Sequence, residues 1–160
     1  MDSLIKDVLF QKLRGKHWKI GADLGCGFGD AGPLFKAHVD FLLGVERNIP
    51  SLFRSRMRRC YDLLVKGSLL DFKTSVSVIF LMDVIEHLPK KIGLTLLNKL
   101  NSEVFLSTAL HWNPCYSFYI LWSPHRSLWT VRELEQNGFE VEVLTSPRRQ
   151  MFDTIFAHRL

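Results

Sequence analysis

The apolar positions of this chain fall into short runs that alternate with stretches of helical spacing. The clearest run is "SVSVIFLMD", which is rich in β-branched and aliphatic residues and is typical of a buried strand. Comparable runs are "WKIGADL", "VDFLLGVE", "LLVKGS" and "EVFLSTA". Between them, "PSLFRSRMRRCYD" and "PKKIGLTLLNKLN" carry apolar residues at helical intervals and begin with proline, which is favoured in the first turn of a helix.

The order of these segments predicts an α/β fold. Further helices are predicted over residues 2–14, over residues 31–38 and in "SLWTVRELEQNGF", where Ser127 would cap the start and Gly138 the end. Alternating strands and helices indicate a parallel sheet between layers of helices. The closing runs "EVEVLT" and "MFDTIFAHRL" should pair antiparallel across "SPRRQ". We therefore expect a Rossmann-like three-layer sandwich, with a mostly parallel seven-stranded sheet and a C-terminal antiparallel hairpin.

Composition indicates one globular domain over residues 1–160. Of the 160 residues, 47% are apolar and 23% are charged, and no apolar run reaches the length of a membrane span. The first residues are amphipathic and include acids, so they do not read as a targeting peptide. Cys26, Cys60 and Cys115 show no ligand spacing, so neither a metal site nor a disulfide is expected, and a reducing cytoplasm is the simplest location.

Residues 20–32, "IGADLGCGFGDAG", contain five glycines and two aspartates, and one of these, Asp23, lies at the end of the first predicted strand. Glycines there let the backbone turn tightly and approach a ligand. The segment matches both the dinucleotide pattern GxGxxG and the pattern D-x-G-x-G-x-G of S-adenosylmethionine sites. We favour the second pattern, because a buried Asp23 suits a cationic ligand better than a pyrophosphate. It also includes Gly25, and 160 residues leave no room for the second domain of a dehydrogenase.

Together with "DFLLGVERN" and "SVIFLMDVIEHLPK", the glycine segment resembles the class I S-adenosylmethionine-dependent methyltransferases over roughly residues 18–145. The resemblance implies S-adenosyl-L-methionine as the cofactor. Asp23 would support the loop and the methionine amine, and Glu46 would accept hydrogen bonds from both ribose hydroxyls. The floor under the methionine part would be formed by Gly25, Cys26, Gly27 and Gly29. Without a ligand, Asp23 could instead cap the next helix or its own loop, and Glu46 could be a surface acid paired with Arg47.

The resemblance also assigns residues around the adenine and the reacting methyl group. Those implied are Arg47 and Asn48 beside the adenine, and Met82 and Asp83 against the methionine part. Many members of the family carry an acid directly after the third strand, where this chain has Ser68. Either Ser68 and the Leu69 backbone contact the adenine, or Asp71, three residues further on, reaches back.

Methyl transfer from a sulfonium requires mainly that the acceptor be aligned and water excluded. A general base is needed only for a hydroxyl or a protonated amine, and the candidates are His125, Asp83, His87 and His111. His125, in "SPHRSLW", is the first choice, whereas His87 could equally be a capping or packing residue. Residues 110–127 are predicted to form a substrate-side loop with an aromatic wall of Trp112, Tyr116, Phe118, Tyr119 and Trp122.

The acceptor is expected to be a small molecule, a sugar or a lipid-linked compound. The fourth strand is followed by "DVIEH" rather than by an "NPPY"-like segment, the arrangement expected for methylation of nucleic-acid bases. The net charge of +5, concentrated partly in residues 47–59, leaves an RNA or DNA methyltransferase as an alternative. A non-catalytic nucleotide-binding or partner-binding module on the same fold is a second alternative.

Overall fold

A computed structural model describes residues 3–73, 75–111, 125–145 and 153–160. Seven strands form one sheet: β1 (Trp18–Leu24), β2 (Val39–Glu46), β3 (Leu63–Lys66), β4 (Val78–Met82), β5 (Glu103–Ala109), β6 (Glu140–Leu144) and β7 (Thr154–Arg159). Their order across the sheet is β3-β2-β1-β4-β5-β7-β6. Neighbours among the first five strands are parallel, and β7 runs antiparallel to both β5 and β6. The predicted sheet and its C-terminal hairpin are therefore confirmed.

Helices cover both faces of this sheet. They are α1 (Ser3–Leu13), α2 (Gly32–Lys36), α3 (Ile49–Met57), α4 (Lys90–Lys99) and α5 (Val131–Gln136), with one-turn 3₁₀ helices at Leu69–Asp71 and Ile85–His87. One core packs α1 and α2 against side chains such as Phe80 and Phe105, and the other packs α4 and α5 against the opposite face. Because the central strands are buried on both faces, their sequences are continuously apolar rather than alternating.

Two helix boundaries differ from the prediction. The helix α3 begins at a cap in which Asn48 Oδ1 accepts a hydrogen bond from Ser51 N at 3.0 Å, but it ends at Met57 rather than near Asp62. The predicted Ser127 cap of α5 is wrong, because Thr130 caps that helix in a reciprocal capping box with Glu133. No helix among the described residues is both long enough and apolar enough to cross a membrane.

Candidate functional site

The glycine segment follows β1 at the edge where the parallel strands end. Gly25 N and Cys26 N donate to the Val45 carbonyl at 2.8 and 3.1 Å, so the loop folds over the end of β2. Gly25, Gly27 and Gly29 have φ angles of +80°, +52° and +73°. These angles lie in the left-handed region that side chains with a Cβ disfavour, so the loop needs glycine at all three positions.

The three glycines face different surroundings. A Cβ on Gly25 would lie 2.8 Å from a Val84 methyl, and one on Gly29 would lie 3.1 Å from the Tyr61 ring. Of the atoms that the structure describes, the nearest to a Cβ on Gly27 would be the Gly25 carbonyl oxygen at 3.9 Å. Gly25 and Gly29 therefore allow close packing of the protein, and the open face of the loop is at Gly27.

Glu46, the last residue of β2, holds the glycine loop against the start of α3. Its Oε2 accepts from Gly27 N at 3.0 Å, and its Oε1 accepts from Asn48 N at 2.7 Å. A carboxylate oxygen has two lone pairs, so each oxygen keeps one further acceptor site. Arg47 is exposed and forms no ion pair with Glu46 within the described parts of the chain. Both oxygens of Glu46 are thus directed to backbone amides beside the open face.

Asp23, near the end of β1, is only 3% exposed. Its Oδ2 accepts a hydrogen bond from the Tyr61 hydroxyl at 2.7 Å. Burial raises the pKa of Asp23 to about 7; the Tyr61 hydrogen bond opposes this rise, and the Glu46 carboxylate adds to it. Among the described residues no lysine or arginine forms an ion pair with Asp23. The site therefore holds a buried carboxyl group with a raised pKa, and none of the described lysines and arginines balances its charge.

Tyr61 was missed in the sequence, yet it is the hydrogen-bond partner of Asp23. Its ring fills the space that side chains would need at Gly32 and Gly44, where an added Cβ would lie 2.8 Å from ring atoms. Gly44 pairs in register with Asp23 on the neighbouring strand. The sequence signal for this contact was Gly44 inside the apolar run of β2, because a glycine in the interior of a strand often marks a close approach by another group.

Asp83 follows β4 at the same edge of the sheet. Its backbone has a φ of +55°, which is uncommon outside glycine and costs conformational energy. Asp83 N donates to the Ser107 carbonyl at 3.0 Å, and Ser107 Oγ donates to Asp83 Oδ1 at 2.7 Å. Met82, the residue before it, pairs in register with Ser107 on β5. The side chain of Asp83 is therefore positioned by β5.

Glu86 lies in the 3₁₀ turn after β4 and is 2% exposed. Its Oε2 accepts from Thr108 Oγ1 at 3.1 Å, and its backbone carbonyl accepts from Arg126 N at 2.7 Å and Ser127 N at 3.1 Å. Burial raises the pKa of Glu86, and the nearby Asp83 carboxylate raises it further. The segment that begins at His125 is thus attached to the turn that contains Glu86.

Three of the four candidate bases come together here. The rings of His87 and His125 have centroids 5.0 Å apart and an interplanar angle of 72°. Burial lowers the pKa of His125, as does His87, whereas Asp83 opposes this shift. His111, the fourth candidate, has its Nε2 3.7 Å from Asp153 Oδ2. The structure therefore separates His111, which has an acid of its own, from the group formed by Asp83, His87 and His125.

Two other predicted features have a more limited outcome. Ser68 Oγ accepts from Leu70 N at 3.3 Å and caps the turn Leu69–Asp71, in which Asp71 is exposed. The assignment of the adenine contact to Ser68 and Leu69 or to Asp71 stays a prediction. The aromatic wall and Cys115 lie outside the described residues, as does most of the predicted 110–127 loop.

No protein-family model matches the sequence, and no curated protein matches it. Solved structures match with a TM-score of 0.72 for the N-methyltransferase NodS from Bradyrhizobium japonicum in complex with S-adenosylhomocysteine (14% identity; 98% of this chain, 87% of NodS). The methyltransferase domain of bacterial CtHen1-C gives 0.69 (19% identity; 98% of this chain and 97% of that one). Magnesium protoporphyrin IX methyltransferase (ChlM) from Synechocystis, with bound S-adenosylmethionine, gives 0.66 (15% identity; 98% and 76%). The chain thus has the fold of the class I S-adenosylmethionine-dependent methyltransferases.

Proposed function

We propose that the protein is an S-adenosylmethionine-dependent methyltransferase that acts on a small-molecule, sugar or lipid-linked acceptor. The observation that carries this proposal is the buried Asp23 carboxyl group, which pairs with no lysine or arginine in the described part of the chain and lies beside a glycine loop that these same residues leave open at Gly27. A ligand with a cationic amine and a sulfonium supplies the missing positive charge. Structures of the same fold with S-adenosylmethionine or S-adenosylhomocysteine bound add support.

When bound, S-adenosylmethionine supplies a methyl group that the positive sulfur has already activated. In our proposal Glu46 binds the ribose hydroxyls with the acceptor sites that its two amide hydrogen bonds leave free. Asp23 balances the charge of the methionine part. The protein's main task is then to hold the acceptor in line and to exclude water.

The acceptor side of the proposed site is formed by Asp83, His87 and His125. Burial and His87 lower the pKa of His125, which favours the neutral imidazole that can accept a proton from an acceptor hydroxyl. ChlM, named for the small molecule magnesium protoporphyrin IX, supports this class of acceptor on the same fold. A small acceptor also agrees with the "DVIEH" segment after β4.

Calorimetry with S-adenosylmethionine and S-adenosylhomocysteine tests the cofactor assignment. We expect saturable binding of one molecule of either compound per chain, with the two competing for the same site. A folded protein that binds neither compound would contradict the proposal. Transfer of a labelled methyl group to a small-molecule fraction of a cell extract would then exclude the non-catalytic alternative, and transfer confined to the RNA or DNA fraction would reject the small acceptor.

Replacing Glu46 with glutamine is expected to weaken S-adenosylmethionine binding about ten- to a hundredfold. A hydrogen bond to a charged group contributes about 1.5–3 kcal/mol, and the neutral amide offers only one acceptor oxygen. Calorimetry of Glu46→Gln gives the dissociation constant directly. Asp40→Asn is the matched control, because Asp40 is an exposed acid on the same strand, paired with His17 at 2.8 Å. Equal affinities for Glu46→Gln and Asp40→Asn would reject the role of Glu46.

A nucleic-acid acceptor is the second candidate, and one surface of α3 favours it. A groove of about 400 Å³ between α3 and β3 is lined in part by Phe53, Arg56 and Arg59. Phe53 is 67% exposed, and exposed aromatic rings beside arginines suit single-stranded nucleic acid. This candidate predicts that the protein binds RNA or DNA and that the affinity falls steeply as the salt concentration rises. It also predicts that Arg56→Ala lowers this affinity. Binding that is absent, or independent of salt, would reject it.

A further inference from the structure

Three side chains at the end of β4 converge in a way that the proposed methyl transfer does not require. Glu86, His87 and His125 each offer one ligand atom, and these three atoms lie within 4.8 Å of one another. Ligands of a first-row metal ion lie about 2.0–2.2 Å from it, so two ligands of a tetrahedral site are about 3.3–3.6 Å apart. A closure of up to about 1.5 Å would therefore bring all three atoms to bonding distance of one ion.

The cluster contains a buried carboxyl group and a buried imidazole nitrogen. Glu86 is 2% exposed, and in the described ranges it forms no ion pair with a lysine or an arginine. A buried carboxyl group is costly to ionise unless a cation lies beside it. The Nδ1 atom of His125 is also buried, and none of the described residues supplies it with a hydrogen-bond partner. Buried polar atoms are normally satisfied, so this nitrogen indicates a missing partner.

The cluster is held in place by the surrounding structure. Thr108 Oγ1 donates to Glu86 Oε2 at 3.1 Å, and the backbone amides of Glu86 and Ala109 also hydrogen-bond this carboxyl group. The Glu86 carbonyl accepts from Arg126 N and Ser127 N, which fixes the backbone directly after His125. Ser127 Oγ donates to the Leu88 carbonyl at 2.9 Å. In known metal sites, hydrogen bonds of this kind orient the side chains that coordinate the ion.

We propose that Glu86, His87 and His125 form a binding site for a divalent transition-metal ion. Two imidazole nitrogens and one carboxylate oxygen favour Zn²⁺, Co²⁺ or Fe²⁺ over Mg²⁺ and Ca²⁺, which prefer all-oxygen sites. Three protein ligands leave at least one position open for water or another ligand. This inference goes beyond the proposed function, because the ion binds whether or not S-adenosylmethionine is present. Where the ion is bound, His125 is a ligand and not a general base.

The cysteine spacings, on which the expectation of no metal site was based, carry no information about this cluster. Its members come from two segments, residues 86–87 and residue 125, that are brought together by the hydrogen bonds of the Glu86 carbonyl. Asp83 lies near the cluster, since its charge acts on both Glu86 and His125, and it would add negative charge beside a bound cation.

Titration of the chelator-treated full chain with Co²⁺ tests the site. Visible absorption reports the coordination of Co²⁺, and calorimetry with Zn²⁺ gives the stoichiometry. We expect one ion per chain and a loss of at least about tenfold in affinity for His87→Ala and for His125→Ala. His17→Ala is the control, because His17 is an exposed histidine directly before β1, with its Nε2 2.8 Å from Asp40 Oδ1. The His17→Ala variant should bind Co²⁺ like the unmodified protein.

Several results would overturn the proposal. These are an absence of saturable Co²⁺ and Zn²⁺ binding, binding that survives in both histidine variants, and binding that His17→Ala reduces as strongly. Glu86→Gln keeps the shape of the side chain and its acceptor for Thr108, so it tests the ligand charge if an alanine variant fails to fold. Calorimetry of each variant with S-adenosylmethionine separates the two sites: loss of Co²⁺ binding with intact cofactor binding supports the metal site, and failure of cofactor binding alone counts only against the proposed function.

Discussion

Replacing Asp23 with asparagine is expected to stabilise the ligand-free protein at pH 8 and to weaken its binding of S-adenosylmethionine. Burial raises the pKa of Asp23 from 3.8 to about 7, so the folded chain binds this proton more tightly than the unfolded chain does. The resulting stabilisation is complete below pH 3.8 and is lost as the pH rises through about 7. The ionised carboxylate then costs the fold up to about 4 kcal/mol relative to pH 3.8 and below.

Thermal unfolding at pH 5 and at pH 8 measures this cost. Asparagine keeps an oxygen that can accept the Tyr61 hydrogen bond but carries no charge. The melting temperature of Asp23→Asn should therefore be closest to that of the unmodified protein at pH 5. At pH 8 it should be higher than that of the unmodified protein by up to several degrees. Asp40→Asn, at an exposed acid, should change neither value. An unmodified protein that shows no loss of stability relative to Asp23→Asn between these pH values would contradict a buried, ionising Asp23.

The same charge should favour a cationic ligand. The affinity of the unmodified protein for S-adenosylmethionine is expected to rise between pH 6 and pH 8, because the ligand binds best when Asp23 is ionised. Asp23→Asn should bind more weakly and lose this dependence on pH, which calorimetry at both values would show. If the variant binds as tightly as the unmodified protein at pH 8, then Asp23 does not contribute to the cofactor site. Weaker binding by Asp23→Asn would instead show that a carboxylate which destabilises the empty fold strengthens cofactor binding.

The strands and the edge of the site could be predicted because the relevant signals are local. Apolar runs and helical spacing identified the elements, and alternation indicated a parallel sheet. Since ligands of such sheets bind beyond the carboxyl ends of the parallel strands, the order of the segments was enough to expect the glycine loop and Glu46 at that edge. The hairpin of the last two strands also followed from a short turn. What local patterns did not indicate is that β7 inserts between β5 and β6.

Contacts between distant segments account for what the sequence did not show. The helix predicted to continue to Asp62 ends at Met57, and Arg59 adopts a φ of +53°, so Tyr61 turns away from the helical path and reaches Asp23, 38 residues earlier. Helical spacing does not report where such a hydrogen bond forms. Ser127 looked like a helix cap because serine is favoured there. In the fold its hydroxyl donates to carbonyls of the turn after β4, and Thr130 takes the cap.

Replacing Trp129 with alanine is expected to lower the free energy of unfolding by about 3–5 kcal/mol, the usual range for a large buried aromatic side chain. Trp129 is 1% exposed, and its indole Nε1 donates to Ser127 Oγ at 3.1 Å. Its ring packs against α4 so closely that a Cβ on Gly93 would lie 2.5 Å from it, and Lys90 Nζ lies 4.1 Å from the ring centroid. The packing of the indole therefore holds the segment that contains His125 against α4.

Urea unfolding of Trp129→Ala, Trp129→Phe and Leu128→Ala separates packing from hydrogen bonding. Phenylalanine keeps most of the ring volume and lacks the N–H donor. Trp129→Phe should therefore lower the free energy of unfolding by about 1 kcal/mol. Leu128 is 37% exposed in the same segment, so Leu128→Ala should cost less than Trp129→Ala. If Trp129→Ala costs no more than Leu128→Ala, the ring does not hold this segment. Because His125 lies four residues before Trp129, a loosened segment would also weaken Co²⁺ binding in Trp129→Ala while leaving the glycine loop after β1 able to bind S-adenosylmethionine.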